Sequence, residues 1–199
     1  MQNLVFKAVE CIWPSPDPVK EPTLLVVAAS NAQAKNISTA AVQARTLHNA
    51  GGMRVQRMVN SQMHPGDKMR KALERLWGRG KVLVMEEISM TGAALYNMLD
   101  FRAMHGRQKT HQVCERTYKL PHHAFGRFPI VIKLGDFLQL SPTNQIGLAA
   151  DTNEKGEDGK YKISAEALTP EIDHAIKMFN DVEHDIGLGS PAGVRLNRF

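Results

Sequence analysis

The hydrophobic residues of this chain are concentrated in three short, nearly uninterrupted runs. They cover Thr23–Ala29, Val82–Met85 and Ile130–Leu134, and each run ends in polar or acidic residues. Apolar runs of this length, without strict alternation, are typical of strands buried on both faces of a sheet. The pattern therefore predicts three buried strands.

Between these runs, apolar residues recur at helical spacing and predict amphipathic helices. The predicted helices lie at residues 4–13, 32–37, 67–77, 91–104 and 171–183, and Ser30-Asn31 supplies a cap for the second. The polar and basic stretch 106–128 is predicted as an irregular excursion or a poorly ordered insertion, and residues 151–162 as a polar loop. Buried strands alternating with helices indicate an α/β fold, with a parallel sheet covered by helices on both faces.

Composition describes an ordinary globular protein. The chain has 199 residues, 43% of them hydrophobic and 23% charged, which favours one domain with a sizeable core. No apolar run approaches membrane-spanning length, and Cys11 and Cys114 form no metal or disulfide pattern. We expect an intracellular protein with no membrane association, placed in the nucleus or mitochondrion if eukaryotic and otherwise in the cytoplasm.

Charge is unevenly distributed along the chain. Residues 1–128 contain eighteen Lys and Arg against nine acids, whereas residues 129–199 contain seven against eleven. A basic face for a polyanion such as nucleic acid is one interpretation, and solvated helix surface is the other. Charge alone leaves both open.

The most informative residues follow the second run, in the sequence Glu86-Glu87-Ile88-Ser89-Met90. Parallel strands that deliver acids at their carboxyl ends hold magnesium and position the attacking water in ATPases with a phosphate loop. We assign water activation to Glu87 and organisation of Mg²⁺ to Glu86, directly or through bound water. The alternative is that both acids cap a helix beginning near Ser89.

The third run continues into Gly135-Asp136 and, three residues later, Gln139. A glutamine side chain has both a donor and an acceptor, so Gln139 can contact a terminal phosphate and register its loss after hydrolysis. In the alternative interpretation Asp136 caps a turn and Gln139 is exposed.

Small and polar residues follow the first run. Ser30 and Asn31 come directly after it, and Thr46 and His48 lie a short distance downstream. These four side chains can contact phosphates of nucleic acid. Strand–turn–helix packing with polar caps is an equally good explanation of the same residues.

The three elements together resemble motifs Ia, II and III of superfamily-1 DNA helicases, in the same order. The petite-integration-frequency group, relatives of RecD, is the most similar, with patterns of roughly Ala-Pro-Thr-Gly-x-Ala-Ala, Asp-Glu-x-Ser-Met and Gly-Asp-x-x-Gln-Leu-x-Pro. In this chain the corresponding stretches are Ala28–Ala34 with Thr46 and His48, Glu86–Met90, and Gly135–Pro142. The resemblance covers roughly residues 4–148.

The chain departs from that group at several points. It contains no Gly-x-x-x-x-Gly-Lys-Ser/Thr phosphate loop, Glu86 replaces an aspartate, and Ala29-Ser30-Asn31 replaces Pro-Thr-Gly. The later motifs of a second motor domain are also missing, apart from a faint likeness of Arg198-Phe199 to motif IV. We therefore expect residues 1–199 to be part of a first RecA-like motor domain with a parallel sheet.

The resemblance implies an ATP-dependent helicase that moves 5′ to 3′ along single-stranded DNA and unwinds duplex, with ATP and Mg²⁺ as cofactors. It implies Glu87 and Gln139 as catalytic residues, Glu86, Glu87 and Gln139 at the nucleotide, and Ser30, Asn31, Thr46 and His48 at DNA. Partners would be single-stranded or forked DNA, bound by a monomer. We expect this chain alone to be inactive. The alternative is a catalytically dead relic that binds DNA or a protein.

Overall fold

The computed structural model describes residues 2–40, 42–53, 65–111, 124–136, 142, 145–150, 163–164 and 167–180. The helices are α1 (Gln2–Ile12), α2 (Asn31–Ile37), α3 (Leu47–Ala50), α4 (Asp67–Trp77), α5 (Ala93–His111), α6 (Ala124–Arg127) and α7 (Pro170–Asn180). The strands are β1 (Leu24–Ala28), β2 (Arg45–Thr46), β3 (Val82–Glu86) and β4 (Ile130–Lys133).

The described strands form one four-stranded sheet in the order β2-β1-β3-β4, and every pairing is parallel. Parallel neighbours need crossover connections, which α2 to α5 supply. The three predicted strands are confirmed as β1, β3 and β4. The two-residue strand β2 has no counterpart in the prediction, because Arg45-Thr46 is too short to produce an apolar run.

Alternate residues of the central strands face two separate cores, as the period of two in a strand requires. Leu25, Val27, Leu83 and Met85 pack with α3, α4, α5, α6 and α7. Val26, Ala28, Val82 and Val84 pack with α1 and α2 on the opposite face. Since both faces are covered, the apolar runs at β1 and β3 are explained by burial.

Strand β4 differs from the prediction of a third buried strand. It pairs with β3 and, among the described residues, with no other strand, so it forms an edge of the sheet. Ile130 is 41% exposed and Leu134 is 38% exposed. An apolar groove of about 340 Å³ between α1 and this edge is lined in part by Trp13 and Ile132. The hydrophobic run at β4 therefore forms an apolar edge strand, and such strands tend to pair with other strands.

The predicted irregular excursion 106–128 is partly wrong. Helix α5 continues to His111, and its Arg107 is completely buried. At α6, Phe125 and Arg127 have positive φ angles of 50° and 63°, a left-handed conformation that side chains rarely adopt. The carboxylate of Asp100 accepts a hydrogen bond of 2.6 Å from the Phe125 amide and holds this turn against α5. Residues 112–123 lie outside the described part of the chain.

Arg107 joins the two turns that precede β3 and β4. Its guanidinium donates hydrogen bonds of 2.7 to 3.2 Å to the carbonyl oxygens of Trp77, Gly80, Gly126 and Arg127. It also lies 4.4 Å above the ring of Phe128. Burial lowers the pKa of Arg107 to about 10, so the side chain remains protonated at neutral pH. Arg107 therefore acts as a structural clamp: it lies in a polar stretch of the sequence, yet it holds the two turns together inside the core.

The remaining helix predictions agree with the structure within a few residues, except that α5 is longer. Trp77 and Leu73 of α4 are fully buried in the core. Helix α7 begins at Pro170, while the end predicted near Glu183 lies beyond the described residues, as does the loop 151–162. In the part of the chain described, no helix combines the length and hydrophobicity needed to cross a membrane.

We predict that Arg107→Ala destabilises the fold by at least about 3 kcal/mol, because four carbonyl groups, three of them in buried hydrogen bonds, lose a charged donor at once. Urea unfolding followed by circular dichroism gives the free energy of unfolding. Arg79→Ala is the matched control, since its 2.8 Å ion pair with Glu21 is exposed and contributes less than about 1 kcal/mol. Equal losses in the two variants would contradict the clamp.

Candidate functional site

The carboxyl ends of β1, β2 and β3 lie side by side at one end of the sheet, which is called the carboxyl edge below. Ala28 of β1 is in register with Thr46 of β2 on one side and with Glu86 of β3 on the other. The predicted nucleic-acid residues and the predicted acidic pair therefore project from the same edge. In open parallel sheets this carboxyl edge is where ligands bind.

The acidic pair at the end of β3 has two different environments. Glu86 is the last residue of the strand, is only 8% exposed, and by alternation belongs to the face that α1 covers. Glu87 is half-buried and adopts a left-handed conformation with φ 54° and ψ 43°. A non-glycine residue held there stores strain of about 1–3 kcal/mol, which is concentrated at functional sites in proteins.

The alternative that the acids cap a helix receives little support. A 3₁₀ turn, Ile88–Met90, does follow Glu87 directly. However, the Glu87 side chain makes no capping hydrogen bond to it. The turn is held instead by backbone contacts to the next strand, so the left-handed conformation is not explained by capping.

The segment after β4 packs against the turn after β3. The Ile88 amide donates a 2.9 Å hydrogen bond to the Leu134 carbonyl, and the Leu134 amide donates one of 2.8 Å to the Met85 carbonyl. A Cβ added at Gly135 would lie 2.9 Å from the Ser89 amide nitrogen, so only glycine permits this approach. Asp136 follows and is exposed. Gln139 lies outside the described residues.

Ser30 and Asn31 start α2 at the end of β1. The Ser30 hydroxyl oxygen accepts from the Gln33 amide at 3.2 Å, and the Gln33 side chain accepts from the Ser30 amide at 3.0 Å. This capping box realises the structural interpretation of Ser30. Its hydroxyl proton remains available to a phosphate, because a hydroxyl both donates and accepts. Asn31 is exposed at the first position of the helix.

Thr46 and His48 lie at the end of β2. The Thr46 hydroxyl caps α3 by accepting from the Asn49 amide at 3.2 Å. His48 is half-buried, and its buried Nε2 atom has no hydrogen-bond partner among the residues that the structure describes. Burial lowers the pKa of His48 below its ordinary value of 6.5, so the ring is neutral at pH 7. Contact between His48 and a phosphate would therefore use Nδ1 or a rotated ring, as a hydrogen bond without a charge.

A side-chain contact that was not predicted from the sequence joins two parts of the carboxyl edge, the start of α2 and the turn after β3. The Gln33 side-chain nitrogen donates to the Met90 sulfur at 3.7 Å, joining the start of α2 to the turn after Glu87. The capping-box spacing of Ser30 and Gln33 is visible in the sequence and identifies Gln33 as a helix-start residue. Its partner Met90 could not be inferred, because 57 residues separate them.

Oxygen atoms of the kind that Mg²⁺ prefers occur along the segment Glu86–Thr91. Mg²⁺ retains several waters and takes only one or two protein carboxylates, with phosphates as further ligands. Two buried hydroxyls beside the acids, Ser89 and Thr91, have no hydrogen-bond partner among the described residues. No group of three or more His, Cys, Asp or Glu side chains in the described ranges is suited to enclose a metal.

Comparison with known protein families identifies the family of this chain. A family model described as PIF1-like helicase matches residues 18–155, more than half of the chain. The chain belongs to the PIF1-like helicase family. The resemblance stated from the three motifs is thus confirmed, as is the predicted α/β fold with a parallel sheet flanked by helices. No protein of curated function matches the chain.

Solved structures of Pif1 helicases are similar to part of this chain. A Bacteroides Pif1 bound to single-stranded DNA has 18% identity and a TM-score of 0.45, covering 72% of this chain and 28% of its own. Candida albicans Pif1 has 25% identity and a TM-score of 0.44, with 71% and 26% covered. A structure of DNA unwinding at forked duplex by two Pif1 helicases has 19% identity and a TM-score of 0.44, with 72% and 29% covered. The chain thus spans less than a third of these helicases.

We predict that Gly135→Ala lowers the free energy of unfolding by about 1–3 kcal/mol, because the added methyl group meets backbone atoms of the Ile88–Ser89 turn. Gly66→Ala is the control, since a Cβ there meets nothing within 4 Å and its φ of −58° suits alanine. Gly66 is the N-cap of α4, where alanine is less favourable than glycine, so we expect this control to lose less than about 1 kcal/mol. Thermal unfolding of both variants checks the contact. A neutral Gly135→Ala would show that the two segments do not pack as described.

Proposed function

We propose that this chain is the middle part of the first motor domain of an ATP-dependent DNA helicase that moves 5′ to 3′ on single-stranded DNA. The observation that carries the proposal is the strained conformation of Glu87, at the end of a buried strand and beside the candidate DNA residues. Family membership supports the same activity. ATP hydrolysis would supply the free energy for translocation and unwinding.

In this proposal Glu87 orients the attacking water and accepts its proton. Its left-handed backbone turns the chain sharply away from the sheet, and the Leu134 carbonyl holds the following residue in place. Glu86, buried at the strand end, organises Mg²⁺, which would neutralise charge on the phosphates. Gln139 is proposed as the sensor of the terminal phosphate, and it follows Gly135, whose backbone packs against Ser89 in the turn after Glu87.

Single-stranded or forked DNA is the proposed partner of the residues that follow β1 and β2 at the carboxyl edge. Ser30 and Thr46 would donate hydroxyl protons, Asn31 an amide proton and His48 a ring N–H to backbone phosphates. The Gln33–Met90 contact provides a physical connection between these residues and the Glu87 turn. Movement of DNA-contacting residues would thereby reach the water-positioning residue. We propose that the protein acts as a monomer inside the cell, in nucleus or mitochondrion if eukaryotic.

A second candidate is a relic that has lost hydrolysis and retains binding. Glu86 in place of the usual aspartate, and Ala29-Ser30-Asn31 in place of Pro-Thr-Gly, favour it. Without a phosphate loop the chain itself lacks the backbone amides and lysine that hold β- and γ-phosphates. We therefore expect little ATP hydrolysis from these 199 residues alone, whichever candidate describes the natural protein.

We predict that Glu87→Gln abolishes DNA-stimulated ATP hydrolysis, lowering the rate about 100-fold or more, because glutamine cannot accept the proton of water. The measurement is a steady-state hydrolysis assay, with and without single-stranded DNA, on a longer natural polypeptide that contains this chain, because these 199 residues alone are expected to hydrolyse little ATP. Binding of single-stranded DNA should be unchanged.

Glu10→Gln is the control for that assay, because Glu10 is an exposed acid on α1, outside the candidate site. An unchanged hydrolysis rate in Glu87→Gln would overturn the assignment of the catalytic carboxylate. The relic is supported if the longer wild-type polypeptide shows no DNA-stimulated hydrolysis but still binds DNA.

A further inference from the structure

Helix α4 presents three cations on one face. Lys68, Lys71 and Arg75 are exposed and are spaced by three and four residues, which places them in one row along the helix. The buried residues Leu73 and Trp77 lie on the opposite face. The row of Lys68, Lys71 and Arg75, called the basic row below, therefore points to solvent along most of the helix.

The acids of α4 do not neutralise the basic row. Asp67 and Glu74 both pair with Arg70, at 3.0 and 3.8 Å, on a neighbouring side of the helix. Among the residues that the structure describes, none of the three cations of the row forms an ion pair or a side-chain hydrogen bond. An uncompensated row of this kind favours an anionic partner.

The basic row starts near His48. His48 is one of the four candidate DNA residues, called the DNA track below: Ser30, Asn31, Thr46 and His48. The Met53 amide donates a 2.8 Å hydrogen bond to the His48 carbonyl, so the turn after α3 folds back on the track residue. Gly52, in that turn, has a φ of 60°, and a Cβ added there would overlap the sulfur of Met69. Met69 is the residue next to Lys68. The row thus continues from the His48 end of the track along the side of the domain.

We propose that the basic row binds the phosphates of single-stranded DNA as the strand leaves the carboxyl edge of the sheet. This inference rests on the proposed function, because it extends the same DNA track. With a rise of 1.5 Å per residue, the three cations follow one another at intervals of about 4.5 and 6 Å along the helix axis. Long flexible side chains at such intervals can reach successive phosphates of one strand.

The chemistry of the row predicts binding without base preference. Lysine and arginine on an exposed helix face contact the sugar–phosphate backbone, which carries no sequence information. The exposed positions of helix α4 include no aromatic side chain on which a base could stack. The contribution should therefore appear as an electrostatic term that depends on salt.

The experiment measures the affinity of this chain for a fluorescent thirty-nucleotide oligo-dT at several salt concentrations, with a duplex of equal length in parallel. The test variant is Lys68→Gln with Lys71→Gln and Arg75→Gln. The control is Lys7→Gln with Lys20→Gln and Lys177→Gln, which removes the same charge from exposed positions elsewhere. Circular dichroism checks that both variants fold.

We expect the slope of log affinity against log salt to be smaller by about 2 in the test variant, at about 0.7 per lost phosphate contact. Between 50 and 200 mM salt the wild-type affinity should then fall about 20-fold more than that of the test variant. The control should keep the wild-type slope. Equal slopes in test variant and wild type, equal changes in the two triple variants, or an effect on duplex alone would each overturn the proposal.

Asn31→Ala separates failure of this inference from failure of the proposed function. Asn31 belongs to the track and not to the row, and Asn36→Ala, exposed on the same helix, is its control. If Asn31→Ala weakens binding selectively while the row variant does not, the track stands and the row is wrong. If the wild-type chain binds no oligo-dT, both the track and the row are contradicted.

Discussion

The parallel register between β1 and β3 is the constraint on which the site depends. It places Ala28 opposite Glu86, and the pairing of β1 with β2 adds Thr46 at the same level. A slip of one residue would turn Glu86 from one face of the sheet to the other, because side chains alternate. Burial on both faces prevents that slip, since it would also exchange Val84 and Met85 of the same strand between two differently shaped cores. Hydrophobic packing thereby fixes the relative position of the polar groups.

Within that frame, the turn after β3 concentrates the connections between the two halves of the site. It holds Glu87 in a strained conformation, receives Gly135 at close contact, and carries Met90 to the side chain of Gln33. The strain is offset by contacts from both neighbouring segments. A change at the candidate DNA residues or at the segment after β4 therefore has a short physical path to the proposed catalytic carboxylate.

Sequence reasoning predicted the α/β class and most elements, because apolar runs and helical periodicity report burial directly. It also indicated that the acidic pair and the candidate DNA residues would meet, because polar residues at the carboxyl ends of parallel strands share one edge; the roles assigned to them stay predictions. It failed where burial is not reflected in residue type: Arg107 is polar but lies in the core, and Ile130 is apolar but exposed. The Gln33–Met90 contact depends on tertiary structure, and Gln139 stays a prediction because it lies outside the described residues.

We propose that the protein binds DNA and nucleotide at the carboxyl edge of the sheet. The most direct measurement is photochemical cross-linking of a halogenated oligo-dU to this chain, followed by mass spectrometry of the labelled peptides. The account predicts cross-links within residues 29–36 and 45–53, next to the ends of β1 and β2. Cross-links confined to the turns before the strands, at residues 13–23 and 78–81, would contradict it, because those turns lie at the opposite edge.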